Sequence, residues 1–542
     1  MNPPRPCSHE VETYRFMDTS IPTNRLGLLS ALIHVALLGT MFLVPIEAAV
    51  SLSTRVAEYP VLRGKPINPV LEFTVQVGPS LEPQVLESVE LEFSGSSFLG
   101  NISQVHLCMG ADSSVDHKSI VASARPSERL VVLTPGQPLS TKNVTFWISV
   151  SLTASADIND RVALQLRTVR LNGQRLKPPP ETSHTNQRIG VALRQRHEDG
   201  ANSYRIPGIA RSIAGSLIAV YDIRREHCRD LPARIDIGVS RSTNDGQTWS
   251  PMTIAMTPAL LGSRYASGGI GDPAILVDRT SGRIWVAALW CHGDIGWEKS
   301  RPGMSPEETG QLLLTFSDDD GQTWSPPRNL TASVKDYAWR LCFSSPGAGI
   351  CMQDGTLVFP AMFRAADGGE TQGKPFATIL VSRDQGTSWQ IGTGAKMDTT
   401  ESQVAQLSDG TLMLNARDNR GQTRTVVTTQ DLGRTWSPHA TDRVALVDPV
   451  CMAGFLSWAH PKYGPLLLFS NPANPSERRD LSLKISRDQG LSWPRKWELK
   501  FDSRAGSGYS CLAEAGTDHI GILYEGKCEI NFVRIPLSDV LN

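Results

Sequence analysis

The sequence predicts an all-β protein in which a β-sandwich precedes a β-propeller. Three observations support this fold class. Short β-branched runs alternate with Gly- and Pro-containing turns, the second part of the chain contains no convincing long amphipathic helix, and one eight-residue motif recurs there. The chain has 542 residues. A single hydrophobic core usually stops growing at about 250–300 residues, so at least two structural units are expected.

The recurring motif has the form Ser/Thr-x-Asp-x-Gly-x-Ser/Thr-Trp. Its copies are Ser242–Trp249, Ser317–Trp324, Ser382–Trp389, Thr429–Trp436 and Ser486–Trp493. In such a turn the Asp accepts backbone N–H bonds, the Gly adopts positive φ, and the Trp packs the turn onto its own sheet. The first copy carries Asn244 at the Asp position, and Asn can make the same contacts. Five copies predict radially repeated four-stranded sheets and assign these residues a structural role.

The predicted sandwich covers residues 51–177, where alternating strands such as NVTFWISVSL are separated by Pro, Gly and Ser. Trp147 in this strand either offers a carbohydrate-stacking surface or belongs to the core, and the region either binds carbohydrate or only packs on its neighbour. The Lys-Pro-Pro-Pro segment at 177–180 is a stiff break. The predicted propeller covers residues 188–542.

Composition excludes several classes of function. Lys and Arg number 53 against 54 Asp and Glu, which argues against a nucleic-acid partner held by overall charge. Nine cysteines are too few for a disulfide scaffold. No Cys-x-x-Cys pair is present, which argues against a zinc ribbon or a thioredoxin-type site. The sequence also shows no other metal-site or cofactor motif, so neither a metal nor a cofactor is predicted. Cys342 and Cys351 are close enough in sequence to pair across a hairpin, a question that the spacing leaves open.

Residues 1–49 are predicted to be a signal peptide or an N-terminal anchor. An uncharged apolar run at 26–46 follows Arg25, and small residues after it offer a cleavage point. The alternative is an uncleaved membrane anchor, since about 20 apolar residues can span a bilayer. Both interpretations predict an exported protein, secreted or located in the periplasm or at the cell surface, which contacts a membrane only if this segment remains uncleaved.

The five motifs resemble the Asp-boxes, or BNR repeats, of the sialidases (neuraminidases). Tyr204-Arg205-Ile206-Pro207 resembles the Arg-Ile-Pro motif that opens the catalytic domain of that family, and the segments 271–274 and 523–526 also fit. Residues 188–542 therefore resemble a secreted bacterial-type exo-α-sialidase, a glycoside hydrolase with a six-bladed propeller. Residues 51–177 resemble the sandwich that precedes the propeller in several bacterial sialidases.

The resemblance implies an anion-binding arginine triad. Sialic acid carries a carboxylate on its anomeric carbon, and planar guanidinium groups bind carboxylates through paired hydrogen bonds. Arg205, Arg417 and Arg478 match the three arginines of the family. Arg479 is the neighbouring alternative, although strand alternation directs it to the opposite face. Glu525 matches the acid that orients the first arginine.

The resemblance also implies a tyrosine nucleophile. A carboxylate nucleophile would be repelled by the carboxylate of the substrate, and sialidases are an exception to the two-carboxylate rule of glycosidases. Tyr509 matches the nucleophile. Glu401, sixteen residues before Arg417, matches the glutamate that deprotonates the tyrosine and stabilises the developing charges.

The acid/base of the family is an Asp on a loop, which Asp230 matches; Asp222 and Asp236 are the competing candidates. Its place on a loop suits a group that must exchange protons with the leaving group and then with water. Asp272 resembles a further pocket acid that reaches the hydroxyl or amide side of the sugar. Arg224 resembles the arginine that contacts the 4-hydroxyl.

These residues predict an exo-α-sialidase that releases terminal sialic acid from glycoproteins, glycolipids and oligosaccharides with retention. A trans-sialidase or an anhydro-forming enzyme would use the same site. A non-catalytic sialic-acid-binding propeller would need the arginines but not Tyr509, Glu401 and Asp230 together. The combination of these three residues favours the enzyme.

Overall fold

The computed structural model describes residues 50–78, 84–94, 98–139 and 143–542. The predicted signal or anchor segment, 1–49, lies outside the described residues. Strands dominate the described chain, which confirms the all-β prediction. None of the helices in these ranges has the length and apolar character needed to cross a membrane.

Two sheets form the first part of the described chain. Its strands are β1 (Ser51–Val56), β2 (Val61–Arg63), β3 (Asn68–Gln76), β4 (Gln84–Phe93), β5 (Ile102–Met109), β6 (Ile120–Ala124), β7 (Leu130–Leu133), β8 (Gln137–Leu139), β9 (Asn143–Leu152), β10 (Arg161–Val162), β11 (Leu164–Leu171) and β12 (Gln174–Leu176). One sheet has the order β1-β3-β9-β5-β6, and the other has β12-β11-β4-β7 with β8 beside β4. Alternate residues such as Phe73 and Phe146 of the first sheet and Leu91 and Phe93 of the second join one buried apolar cluster.

Trp147 belongs to the interior of this part of the protein. It is only 2% exposed and packs with Ala57, Ile67 and Cys108. The core interpretation of this tryptophan is therefore correct, and its ring offers no open stacking surface.

After β13 (Gln187–Arg194), the chain forms a succession of antiparallel sheets. The first contains β14 (Ser203–Arg211), β15 (Leu217–Arg224), β16 (Ile235–Ser242) and β17 (Thr253–Met256). The second contains β18 (Gly268–Val277), β19 (Ile284–His292), β20 (Gln311–Ser317) and β21 (Arg328–Asn329), with β23 (Gly347–Ala348) beside β18. The third contains β22 (Leu341–Ser344), β24 (Ile350–Cys351), β25 (Leu357–Arg364), β26 (Pro375–Ser382), β27 (Gln390–Ile391) and β28 (Lys396–Met397).

The later sheets follow the same pattern. The fourth contains β29 (Thr399–Gln406), β30 (Leu412–Asp418), β32 (Thr425–Thr429) and β33 (Ser437–Pro438), and β31 (Gln422–Thr423) pairs separately with β34 (Val447–Asp448). The fifth contains β35 (Gly454–His460), β36 (Gly464–Pro472), β37 (Leu481–Ser486) and β38 (Glu498–Asp502). The sixth contains β39 (Ser510–Glu514), β40 (His519–Glu525) and β41 (Ile530–Pro536). The helices are α1 (Thr331–Val334) and α2 (Ser538–Leu541), with 3₁₀ turns at Leu99–Asn101, His117–Ser119, Pro180–Thr182, Pro258–Leu261, Ser263–Tyr265 and Arg495–Trp497.

The sixth sheet combines strands from distant parts of the chain. β13 pairs antiparallel with β41, with Val191 opposite Phe532, and its other edge pairs with β2 and β10. The apolar cluster of the first two sheets continues through Ile189 into Phe532. Apolar packing is continuous across residues 177–188, so the predicted domain boundary there stays a prediction.

The recurring motifs form the expected turns. In the second copy, Asp319 Oδ1 accepts the N–H groups of Gln322 at 3.0 Å and Thr323 at 2.9 Å. In the first copy, Asn244 Oδ1 accepts the N–H of Thr248 at 2.8 Å. Both local predictions, the acceptor role of the Asp and its replacement by Asn, are confirmed.

The motif tryptophans make contacts beyond the expected packing of each turn onto its own sheet. Trp389 is 4% exposed and lies against Phe359 of β25 and also against Trp285 of β19 in the preceding sheet. Trp249 of the first sheet contacts Phe532 of β41. Both rings therefore contact a neighbouring sheet.

The disulfide in the structure is not the one between Cys342 and Cys351 that the sequence spacing left open. Cys342 and Cys351 are free thiols. A disulfide joins Cys228 to Cys528, 300 residues further along the chain, with the Cα atoms 6.1 Å apart. It links the loop after β15 to the turn after β40.

Candidate active site

The candidate site residues lie at one end of the antiparallel sheets. Antiparallel pairing places the start of one strand beside the end of the next, and Ser203 of β14 faces Arg224 of β15. In the same way Thr399 of β29 faces Asp418 of β30, and a similar pairing joins the start of β39 to the end of β40. Residues distant in sequence thus meet at the same end of successive sheets.

The three predicted arginines converge on Tyr509. The guanidinium carbons of Arg205 and Arg478 lie 5.3 and 5.5 Å from the centre of its ring. Arg417 Nη1 donates to the Tyr509 hydroxyl oxygen at 3.1 Å. Three cations around one phenol form a positive pocket that suits a planar anion.

Glu525 holds one edge of this pocket. Its buried carboxylate accepts Arg205 Nε at 3.0 Å and Nη2 at 3.3 Å. It also accepts the backbone N–H groups of Ile206 at 2.8 Å and Tyr509 at 3.1 Å. One carboxylate therefore fixes the guanidinium plane of Arg205 and the backbone that carries Tyr509.

Glu401 lies between Tyr509 and Arg417. The Tyr509 hydroxyl donates to Glu401 Oε1 at 2.6 Å and lies 2.7 Å from Oε2, and Arg417 Nη1 donates to Oε2 at 2.6 Å. Arg417 Nε is buried and has no hydrogen-bond partner among the described residues. The arrangement gives the phenol an adjacent base.

The protonation state of Tyr509 depends on its burial and on these charged neighbours. Burial raises the pKa of Tyr509 well above its usual value, and the Glu401 charge raises it further, while Arg417 and Arg205 oppose these effects. The phenol is therefore neutral at rest, and its proton already points at Glu401.

Arg478 is held by backbone carbonyl groups. Its Nη1 donates to Ser507 O at 3.1 Å and its Nη2 to Val450 O at 2.9 Å. Arg479 is 46% exposed and pairs with Glu477 and Asp480. Of the two neighbouring arginines, the structure brings Arg478 to the phenol.

Asp230 lies across the pocket from Glu525. Its Oδ1 accepts Arg205 Nη1 at 2.9 Å and lies 2.8 Å from Arg224 Nη1, although the side chain is 70% exposed. Burial by itself would raise the pKa of Asp230, but Arg224 and Arg205 outweigh it and lower the pKa below its usual value. The competing candidate Asp236 instead pairs with Arg225.

Asp222 supports the site in a role that the sequence analysis missed. Its buried carboxylate accepts Arg224 Nε at 3.1 Å and Nη2 at 2.9 Å, and also the N–H of Asp272 at 3.0 Å. Asp222 and Arg224 are two residues apart on one strand, and this spacing could have indicated that their side chains lie on the same face of the sheet.

Asp272 completes this side of the pocket. Burial raises the pKa of Asp272 well above its usual value, and the nearby charges of Asp222 and Asp230 add to the effect. A neutral carboxylic acid at this position can donate a hydrogen bond to a neutral ligand group.

Family profiles match most of the chain. The family described as "BNR repeat-like domain" matches residues 229–523, and "N-terminal domain of BNR-repeat neuraminidase" matches residues 49–175. The chain belongs to the BNR-repeat sialidases. This family consists of glycoside hydrolases, so the enzyme class predicted from the sequence is confirmed.

Two curated sialidases share much of the sequence. A sialidase of Bacteroides fragilis (strain YCH46) is 35% identical over 490 residues, covering 87% of this chain and 89% of that protein. A sialidase of Micromonospora viridifaciens is 30% identical over 380 residues, covering 68% of this chain and 56% of that protein.

Solved sialidase structures share the fold. Hadza microbial sialidase Hz136 is 38% identical, covers 90% of this chain and all of its own, and superimposes with a TM-score of 0.84. Trypanosoma rangeli sialidase in complex with the inhibitor DANA is 22% identical, covers 64% of this sialidase and 59% of its own chain, and has a TM-score of 0.52. The second likeness concerns the fold alone.

Proposed function

We propose that this sialidase is an exo-α-sialidase that releases terminal sialic acid from glycans with retention, through a covalent bond between the sugar and Tyr509. One observation carries the proposal: the Tyr509 hydroxyl donates to Glu401 at 2.6 Å inside a ring of three arginines. A protein that only bound sialic acid would need the cations but not a phenol paired with a base.

Substrate binding begins with the carboxylate of the terminal sugar. Arg205, Arg417 and Arg478 receive this anion. Glu525 keeps Arg205 in place as it does so. The anion competes with Asp230 for Arg205 Nη1.

Binding thereby prepares the acid. The substrate carboxylate withdraws one cationic partner from Asp230 and adds a negative charge beside it, and both effects raise the pKa of Asp230. The protonated Asp230 then donates its proton to the glycosidic oxygen as the bond to the anomeric carbon breaks. Its exposed position leaves room for the departing glycan.

The covalent step uses the Tyr509–Glu401 pair. Glu401 accepts the phenol proton while Tyr509 Oη forms a bond to the anomeric carbon, and the arginines hold the sugar carboxylate during this displacement. Water next attacks the same carbon, and the Asp230 carboxylate takes its proton. Tyr509 leaves and recovers its proton from Glu401. Two displacements retain the anomeric configuration.

Asp272 and Arg224 bind the neutral face of the sugar in this proposal. Asp222 fixes both of them, through its two bonds to Arg224 and its bond to the Asp272 N–H. They select a hydroxylated ring because buried polar groups left unpaired are costly.

A six-bladed propeller supports this site. The glycine of each motif lies against the preceding sheet: Gly321 against Ile218, Gly386 against Trp285, Gly433 against Ile379, Gly490 against Met413, and Gly246 of the first sheet against Phe532 of the sixth. These five contacts join six sheets, and the apolar cluster shared by the fifth and sixth sheets completes the succession, as in blades around an axis. We assign residues 188–542 to the propeller and 51–177 to a β-sandwich that packs against it. An exported location for the protein accords with the Cys228–Cys528 disulfide.

Trapping the covalent adduct tests the proposed mechanism. Wild-type enzyme treated with a 3-fluoro sialosyl fluoride should carry the sugar on the peptide that contains Tyr509, as identified by peptide mass spectrometry. The control variant Tyr509→Phe should give no adduct. An adduct on Asp230, or full activity of the Phe variant, would overturn the assignment.

The first product distinguishes hydrolysis from its alternatives. NMR of wild-type enzyme with 3′- and 6′-sialyllactose should show α-sialic acid before mutarotation, together with free lactose. A sialylated acceptor or an anhydro sugar as the first product would indicate transfer or an intramolecular reaction instead.

A further inference from the structure

The loop that carries Asp230 lacks regular secondary structure. It covers residues 225–234, between β15 and β16. Among the described residues, the ion-pair partners of Asp230 are Arg205 and Arg224. Glu401 is positioned by strand β29, whereas the position of Asp230 depends on how its loop is held.

Packing holds the second half of this loop. Leu231 packs against the apolar cluster formed by the second and third sheets and lies beside Gly271. The Ala233 carbonyl lies against Gly269 of β18. These contacts begin one residue after Asp230 and do not involve the cysteines.

A covalent bond holds the first half. Cys228 lies two residues before Asp230 and is bonded to Cys528, while its carbonyl accepts Arg224 Nη1 at 2.7 Å. Cys528 follows Glu525 by three residues, and its carbonyl accepts Tyr204 N at 3.2 Å. The disulfide thus joins the acid-bearing loop to the turn that follows the carboxylate orienting Arg205.

We propose that the Cys228–Cys528 disulfide is a positioning element that keeps the Asp230 carboxyl over the arginine pocket during acid catalysis. The inference rests on the proposed function. Two residues of chain span at most about 7 Å, so the fixed Cys228 limits how far Asp230 can move. The restraint matters most once the substrate carboxylate has taken Arg205, because Arg224 is then the remaining ion-pair partner of Asp230.

The effect is specific to proton donation. Glu401 and Arg417 lie on β29 and β30, and Tyr509 directly precedes β39. All three are held by their own hydrogen bonds, and none of them lies on the tethered loop. Loss of the disulfide should therefore impair substrates whose leaving group needs a proton and spare substrates whose leaving group does not.

The double variant Cys228→Ser/Cys528→Ser tests this inference with two substrates, 3′-sialyllactose and 4-nitrophenyl sialoside. General acid catalysis contributes about 10²–10⁴-fold, so a displaced acid should lower kcat on sialyllactose by about 10–100-fold and on the nitrophenyl substrate by less than about 3-fold. The basic limb of the kcat–pH profile on sialyllactose should also shift. Cys342→Ser/Cys351→Ser, which removes two free thiols, is the matched control and should change neither rate.

Asp230→Asn calibrates the comparison, because it should show the same substrate dependence in a stronger form. Equal losses on both substrates, or unchanged rates in the double variant, would overturn the positioning role while the proposed function stands. Wild-type enzyme that hydrolyses neither substrate would overturn both. If the wild type is active and Asp230→Asn slows both substrates equally, Asp230 is not the general acid. The positioning role of the disulfide would then be overturned as well.

Reduction of the wild type gives a second measurement if the double variant does not fold. Dithiothreitol adds one hydrogen to each sulfur of the disulfide and becomes its own cyclic disulfide. Alkylation followed by peptide mass spectrometry verifies that Cys228 and Cys528 are the thiols released. The reduced enzyme should lose sialyllactose hydrolysis selectively, and equal losses on both substrates would contradict the inference.

Discussion

Replacing Glu401 by Gln removes the base proposed for Tyr509 while keeping the size of the side chain. The carboxylate accepts the Tyr509 proton at 2.6 Å, and an amide has no comparable proton affinity. A tyrosine with a pKa of about 10 is ionised in about one molecule in 10³ at pH 7, and burial raises the pKa of Tyr509 further. Loss of the base should therefore lower kcat by about 10³-fold, which corresponds to about 4 kcal/mol.

The assay is hydrolysis of 4-nitrophenyl sialoside across pH 6–9. In Glu401→Gln, kcat should rise about tenfold per pH unit as solvent ionises Tyr509, whereas the wild type should show no such rise. Asp398→Asn is the matched control, because that carboxylate bonds Lys374 at 3.0 Å and Asn419 at 3.1 Å, away from the phenol. A Glu401→Gln variant within tenfold of the wild type, or without a rise toward high pH, would refute the base assignment.

Arg417→Ala should remain folded and lose activity on sialosides by orders of magnitude, since one charge-assisted pair in a desolvated site contributes about 1.5–3 kcal/mol; near-normal kcat/KM in the folded variant would remove Arg417 from the triad. Trp389→Ala should destabilise the protein by about 3–5 kcal/mol, measured as a lowered Tm, and more than Trp436→Ala at a half-buried ring. An unchanged Tm with lost activity would contradict the structural role of the motif. Although burial would raise the pKa of Asp418, hydrogen bonds from Arg420 and other partners lower it to about 2. The depressed pKa of Asp418 adds about 2–3 kcal/mol to the free energy of unfolding above pH 4, and this stabilisation is lost as the pH falls toward 2. The Tm difference between wild type and Asp418→Asn should therefore shrink over that range, and a constant difference would count against the linkage.

Local motifs allowed much of the fold and site to be predicted. The turn around Asp319 depends on contacts within five residues, so its sequence is sufficient to predict its geometry. Arg205 and Arg417 could be predicted because each matches an arginine position of a known family. The convergence of these arginines on Tyr509 then follows from antiparallel pairing, which returns distant strand ends to the same place.

Two of the three features that were missed are non-local. Nothing near Cys228 in sequence indicates its bond to Cys528, because the pairing depends on how the first and last sheets meet. The contact of Trp389 with Trp285 likewise depends on the neighbouring sheet. Asp222 was judged only as a candidate acid, although its charge serves to hold Arg224.

The pairing of β13 with β41 delays completion of the fold until β41 has been synthesised. At about 5–20 residues per second, the ribosome needs tens of seconds to pass from Val191 to Phe532. During that time one edge of β13 exposes unpaired N–H and C=O groups, which can pair with another nascent chain. The nascent protein therefore depends on protection of this edge, and any product truncated before β41 keeps it open and prone to aggregation.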